Sequence, residues 1–260
     1  MSNLRTYGKP PFTVAVVHGG PGAAGEMAPV ARELASARGV LEPLQTAATL
    51  AGQVDELKAV LEQNAGLPVT LVGFSWGAWL SFILTAEHPA LVKKLILISS
   101  GPFEERDAAK IRETRLSRLE SKEREWVESL TEALNDPARK NKNTYFARMG
   151  VLLSKADAFD PIMDRSDPID YSAEVFQGVW GDAGPMRSSG RLLTLGKRIE
   201  CPVVAIHGDY DAHPAEGVQK PLSATLKNFR FILIEKCGHK PWIERQAKDK
   251  FYAILKEELR

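Results

Sequence analysis

The chain has 260 residues and a mass of 28.6 kDa, enough for one or two domains with a core that needs no disulfide or metal to hold it. Hydrophobic residues make up 44% and charged residues 26%, which excludes disorder as the organising principle. Lys and Arg (34) nearly balance Asp and Glu (33), so no global field favours nucleic acid or an anionic membrane, and neither is expected as a partner. Apolar runs stay well short of the ~18 residues of a membrane span. The first 20 residues hold only the short apolar stretch Val14–Val17 and lack a signal-peptide shape. Cys201 and Cys237 are too few for a disulfide framework. A cytoplasmic globular protein with two free thiols is the expectation.

Short β-rich apolar runs alternate with helical patterns, the signature of βα units on a parallel sheet. Phe12–Val17 reads as the first strand and runs into the turn His18-Gly19-Gly20-Pro21-Gly22. A helix over Met27–Arg38 ends at Gly39, and Val40–Leu44 suits a short strand. Thr49–Asn64 places Val54, Leu57 and Leu61 on one helical stripe. Val69–Val72 is a strand entering Gly73-Phe74-Ser75-Trp76-Gly77, and the apolar helix Ala78–Glu87 stops at His88-Pro89. Leu95–Ile98 is another buried strand.

From Phe103 to Arg191 no comparable strand run occurs. Glu104–Glu128 carries dense, nearly balanced charge, with Glu120 and Arg124 at helix-supporting i,i+4 spacing; a solvated helix face is the expectation there. Asp157–Asp170 is acidic and Pro-rich, hence turn-rich, without EF-hand spacing. Strands return at Val203–Ile206 and Phe229–Ile234, followed by helices near Ala215–Leu226 and Pro241–Leu259. The simplest account is one α/β sheet domain, residues 1–102 and 192–260, interrupted by a helical insertion over 103–191.

Gly73-Phe74-Ser75-Trp76-Gly77 matches G-x-S-x-G. A nucleophile on a tight strand-to-helix turn needs glycine two residues to either side, where side chains would collide. Chance supplies about 0.1 such matches in a chain of this length, and here a strand precedes it and an apolar helix follows. The Gly-rich loop after the first strand offers backbone N–H groups for a developing oxyanion, with Gly20 and Trp76 as the candidate donors. A serine needs a base oriented by a carboxylate. His239 lies in Glu235-Lys236-Cys237-Gly238-His239, directly after the last strand, where a base at the C-terminal edge of a parallel sheet belongs. His207-Gly208-Asp209-Tyr210-Asp211 follows the preceding strand and supplies the acid. Ser75, Asp211 and His239 then stand 136 and 28 residues apart, in the order Ser–acid–His.

These four motifs resemble the α/β-hydrolase fold family. The resemblance covers about two thirds of the chain and implies a mostly parallel sheet flanked by helices, with a helical cap. It places the acid three residues after the Gly that closes its strand, which selects Asp211 over Asp209. His-Gly-Gly-Pro-Gly and the Trp after Ser75 also resemble the proline iminopeptidase branch. That branch binds a substrate amine through cap glutamates, and Glu104, Glu105, Glu120 and Glu174 do not align with those roles. The branch has two strands before the Val14 strand, which are expected to be missing here. Trp126, Trp180 and Phe176 are candidates to line a pocket or to glue a cap to its sheet. Cys237 lacks an elbow and reads as a packed thiol.

The expected activity is therefore that of a serine hydrolase acting on a small-molecule carboxylic ester, with no cofactor and no metal. A Pro-specific aminopeptidase taking short peptides is the rival enzyme. A ligand-binding protein of the same fold is the rival of another class.

Overall fold

The computed structural model describes residues 3–162 and 168–260; Asp167 and the middle of the expected turn-rich Asp157–Asp170 stretch lie outside the described residues. In chain order the elements are β1 (Leu4–Tyr7), β2 (Phe12–Val17), β3 (Ala23–Ala24), α1 (Ala28–Leu34), β4 (Gly39–Pro43), α2 (Leu50–Asn64), β5 (Val69–Phe74), α3 (Trp76–Glu87) and β6 (Val92–Ile98). Then come α4 (Glu105–Ser117), α5 (Ser121–Asn135), α6 (Lys142–Asp157), β7 (Asp170–Tyr171), α7 (Ala173–Ser188), α8 (Arg191–Leu195), β8 (Val203–Gly208), α9 (Glu216–Thr225), β9 (Phe229–Ile234) and α10 (Lys248–Glu258).

Seven strands form one sheet in the order β1-β4-β2-β5-β6-β8-β9. Only β1 runs antiparallel to its neighbour. Strands buried on both faces should be apolar throughout, with alternate residues facing opposite sides. Ala15, Val17, Leu71, Leu95, Leu97, Val203 and Ala205 enter one core with α2, α3 and α9. Their neighbours Val14, Val16, Val72, Phe74, Ile96, Ile98, Val204 and Ile206 enter the other, with α1 and α10. Each fully buried Leu, Ile or Phe contributes about 2 kcal/mol through this burial.

α4 to α7 form a separate apolar cluster around Leu119, Val127, Leu134, Phe146 and Met149. A two-residue ladder, Ala23↔Tyr171 and Ala24↔Asp170, joins that helical segment to the loop after β2.

Three expectations change. One strand, β1, does precede Phe12; its four residues alternate weakly, and its place is held by Tyr7 Oη donating to Glu42 (2.7 Å) and by pairing with β4. The Glu120–Arg124 spacing marks the start of α5 and not a helix interior: Glu120 is its N-cap, its carbonyl accepts the Arg124 N–H at 3.0 Å, and its own N–H donates to Glu123 Oε2 at 3.1 Å. The last helical stretch is a short 3-10 turn, Pro241–Ile243, and then α10. Glu244 ends the turn.

Candidate active site

β5 ends at Phe74 and α3 begins at Trp76, leaving Ser75 as the whole of the turn. Its backbone sits at φ 52°, ψ −114°, a region side chains avoid and surroundings must enforce. The enforcement comes from close approach. A Cβ on Gly73 would lie 2.2 Å from the Gly77 carbonyl oxygen, and one on Gly77 would lie 2.4 Å from both the Val17 and His18 carbonyls. The spacing of the motif thus has a direct steric cause. The Ser75 N–H donates to Ile98 O (2.9 Å), and the Trp76 N–H, first in α3, has no intrahelical acceptor.

The loop after β2 is shaped by His18, which sequence reasoning left without a role. His18 is fully buried, its Nδ1 lies 2.7 Å from the Gly19 carbonyl, and its Nε2 accepts the Gln45 N–H at 3.2 Å. That pattern requires a neutral ring with the proton on Nδ1, and burial lowers its pKa accordingly. Because the peptide is trans, a carbonyl of Gly19 pulled toward His18 turns the Gly20 N–H to the opposite side. Gly20 itself takes φ +100°, and its N–H donates to no backbone carbonyl among the described residues.

The ends of β8 and β9 bring Asp211 and His239 together. His239 Nδ1 donates to Asp211 Oδ2 at 2.8 Å, leaving Nε2 as an acceptor. Asp211 Oδ1 accepts twice from His213, from its backbone N–H (2.9 Å) and from Nδ1 (2.8 Å). His207 Nε2 lies 2.9 Å from His213 O and 3.4 Å from Asp211 Oδ2. Burial would raise the Asp211 pKa, but His239 and His213 hold it well below the ordinary carboxylate value. Burial lowers His213 to about 4, so at neutral pH it is an uncharged donor. His213 stacks on His239 with ring centroids 4.4 Å apart. The ring of Phe74, next to Ser75 in the chain, lies 4.9 Å from that of His239. Asp209 instead accepts the Cys237 N–H at 3.1 Å and pins one loop to the other. The Cys237 thiol is buried and its pKa is raised by that burial.

Two further carboxylates set the His239 loop in place, and neither carried a sequence signal. Glu244 is fully buried and accepts the N–H groups of Gly238 (3.0 Å), Phe159 (2.9 Å) and Asp160 (2.8 Å). This task ends the 3-10 turn before α10. Asp157 accepts the His239 N–H through its backbone carbonyl (2.9 Å), while its carboxylate takes both Nε (2.8 Å) and Nη2 (2.6 Å) of Arg115. Burial alone would raise its pKa; Arg115 brings it below the ordinary value.

Ser75 and His213 open on a cavity of about 290 Å³ walled by Trp76, Trp79, Phe176 and Trp180. Trp126 is half exposed and lies apart from it. Asp211, His213 and His239 offer ligand atoms within 4.8 Å of one another. Each imidazole already spends its Nδ1 on Asp211.

The sequence pattern of the alpha/beta hydrolase fold matches residues 13–246. With this sheet order and this turn, the chain belongs to the alpha/beta hydrolase family. Among solved structures it is similar to VinJ (20% identity, TM-score 0.70, covering 98% of this chain and 93% of that one). It is also similar to Est816, described as an N-acyl homoserine lactone degrading enzyme (16%, 0.65, 98% and 95%), and to a proline iminopeptidase of Mycobacterium smegmatis (18%, 0.62, 98% and 93%). At these identities the likeness speaks to the fold. No curated protein matches the chain. Among the described residues no helix is long and apolar enough to cross a membrane.

Proposed function

We propose that the protein is a serine hydrolase that cleaves a carboxylic ester of a small molecule through an acyl-enzyme. The observation that carries this reading is the buried Asp211–His239 hydrogen bond, with the His239 ring 4.9 Å from that of Phe74, the neighbour in the chain of a serine held at positive φ. Ser75 Oγ attacks the ester carbonyl and His239 Nε2 takes its proton. The tetrahedral oxyanion lies against the N–H groups of Gly20 and Trp76, each worth about 3 kcal/mol in such a role. The intermediate collapses, the alcohol leaves with the proton from His239, and water attacks the acyl-enzyme through the same base. Asp211 fixes the His239 tautomer and stabilises the imidazolium. The helices of residues 103–191 act as a cap over a core made of residues 1–102 and 192–260, and set the size of the acyl group. The amine-binding alternative finds no support in the cavity: Glu104, Glu105, Glu120 and Glu174 are absent from its lining.

Labelling with a fluorophosphonate followed by peptide mapping tests the reading. An adduct on Ser75 that His239→Ala abolishes is expected. Folded protein that gives no adduct would favour a ligand-binding role.

A further inference from the structure

We infer that the cavity over Ser75 is built for an acyl substrate that carries a carboxylate and against one that carries an ammonium group. The inference rests on the hydrolase reading of the same site and names its substrate class.

The Ser75 cavity adjoins a second one of about 460 Å³ within the cap, with which it shares six lining residues. Ile111, Arg115, Leu153, Phe176, Trp180 and Arg187 line both lobes and so form the neck between them. Among the described residues that line either lobe, the charged side chains are Arg112, Arg115 and Arg187; there is no carboxylate and no lysine. The carboxylates that balance the two neck arginines stand behind them. Asp157 holds Nε and Nη2 of Arg115 and so fixes the plane of that guanidinium, leaving Nη1 without an acceptor among the described residues. Glu105 takes Nε of Arg187 at 2.8 Å, and neither Nη of Arg187 has an acceptor there.

The neck therefore presents oriented donors and no acceptor of matching charge. A guanidinium fork pairs with a carboxylate through short charge-assisted bonds. An ammonium in the same place would lose its water and meet only donors. The indole faces could otherwise hold a cation, but Arg187 already lies over the Trp79 ring, 5.5 Å from its centroid. This polarity is the reverse of what an aminopeptidase needs.

Three 4-nitrophenyl esters of equal chain length test the inference: the hexanoate, the 6-aminohexanoate and the adipate half-ester. The expected order of kcat/KM is adipate, hexanoate, aminohexanoate, with steps of about 10-fold. Arg187→Glu should reverse the two charged esters. If Arg187 only pins α7 to α4, that substitution lowers all three by one factor, and the inference is overturned. Equal rates for the three esters, or preference for the amine, overturn it as well. If no ester is turned over and Ser75 takes no fluorophosphonate, the hydrolase reading falls. Equilibrium binding of the three esters to Ser75→Ala then decides the charge preference alone: the same order supports it, and indifference overturns it.

Discussion

Ser75 and His239 are held in opposite ways. Ser75 is fixed by residues within a few positions of it and by the two strands alongside: Gly73, Gly77, the Val17 and His18 carbonyls at the end of β2, and Ile98 O at the end of β6. His239 hangs on distant chain. Asp157 from α6 accepts its N–H, and Glu244 ties the preceding glycine to residues 159 and 160. Lys240, its other neighbour, pairs with Glu26 at 2.6 Å. Local sterics shape the first group; burial of charge across three segments shapes the second. The first should therefore tolerate changes in the cap that the second does not.

Five substitutions and a pH series would break or sharpen that contrast. The largest effect is expected of Ser75→Ala, which should lower kcat for the hexanoate ester by about 10⁴-fold or more while thermal unfolding stays within about 2 °C of the parent. Glu244→Ala should instead cost the fold itself, about 3 kcal/mol by denaturant titration, because the buried Gly238 N–H and the part-buried N–H groups of Phe159 and Asp160 lose their acceptor. Glu244→Gln keeps one acceptor oxygen and should lose about half as much. Stability should also respond to acid earlier than carboxylates alone would dictate. His213 is neutral when folded, with a pKa of about 4, and takes up a proton near 6.5 when unfolded. The unfolded state thus binds more protons between these values, and stability falls as pH drops from about 6.5 towards 4, by on the order of 3 kcal/mol from this group. Urea unfolding at several pH values should show a shallower slope in His213→Gln; an unchanged slope would refute the assignment. The smallest effect is expected of His18→Asn, which loosens the Gly19–Gly20 peptide and should lower kcat about 10-fold with KM little changed.

The same contrast explains what could be read from the sequence. Period-two burial, Gly–Gly spacing about Ser75 and the order of the acid and histidine loops are local patterns, and they located β2, β5, β6, β8, β9 and the residues brought together at their ends. β1 escaped because its four residues are defined by pairing with β4 and not by their own alternation. Glu244 and Asp157 escaped because a buried carboxylate looks in sequence like any surface acid; only the fold reveals which N–H groups surround it. His18 was visible at the head of His-Gly-Gly-Pro-Gly, but that motif assigned work only to the backbone N–H of Gly20, since the part His18 plays is to turn a single peptide plane.

The ladder between β3 and β7 sets a clock on the site. Its two residue pairs, with the Ser172 N–H on Gly22 O at 2.9 Å, stitch the loop that bears Gly20 to the segment leading into α7. Any outward swing of α7 must unzip these bonds or drag the loop with it. Exchange of the Ser172 amide with heavy water thus reports the free energy of parting this seam and, where opening limits exchange, the opening rate itself, which a ligand that enters by the seam cannot exceed.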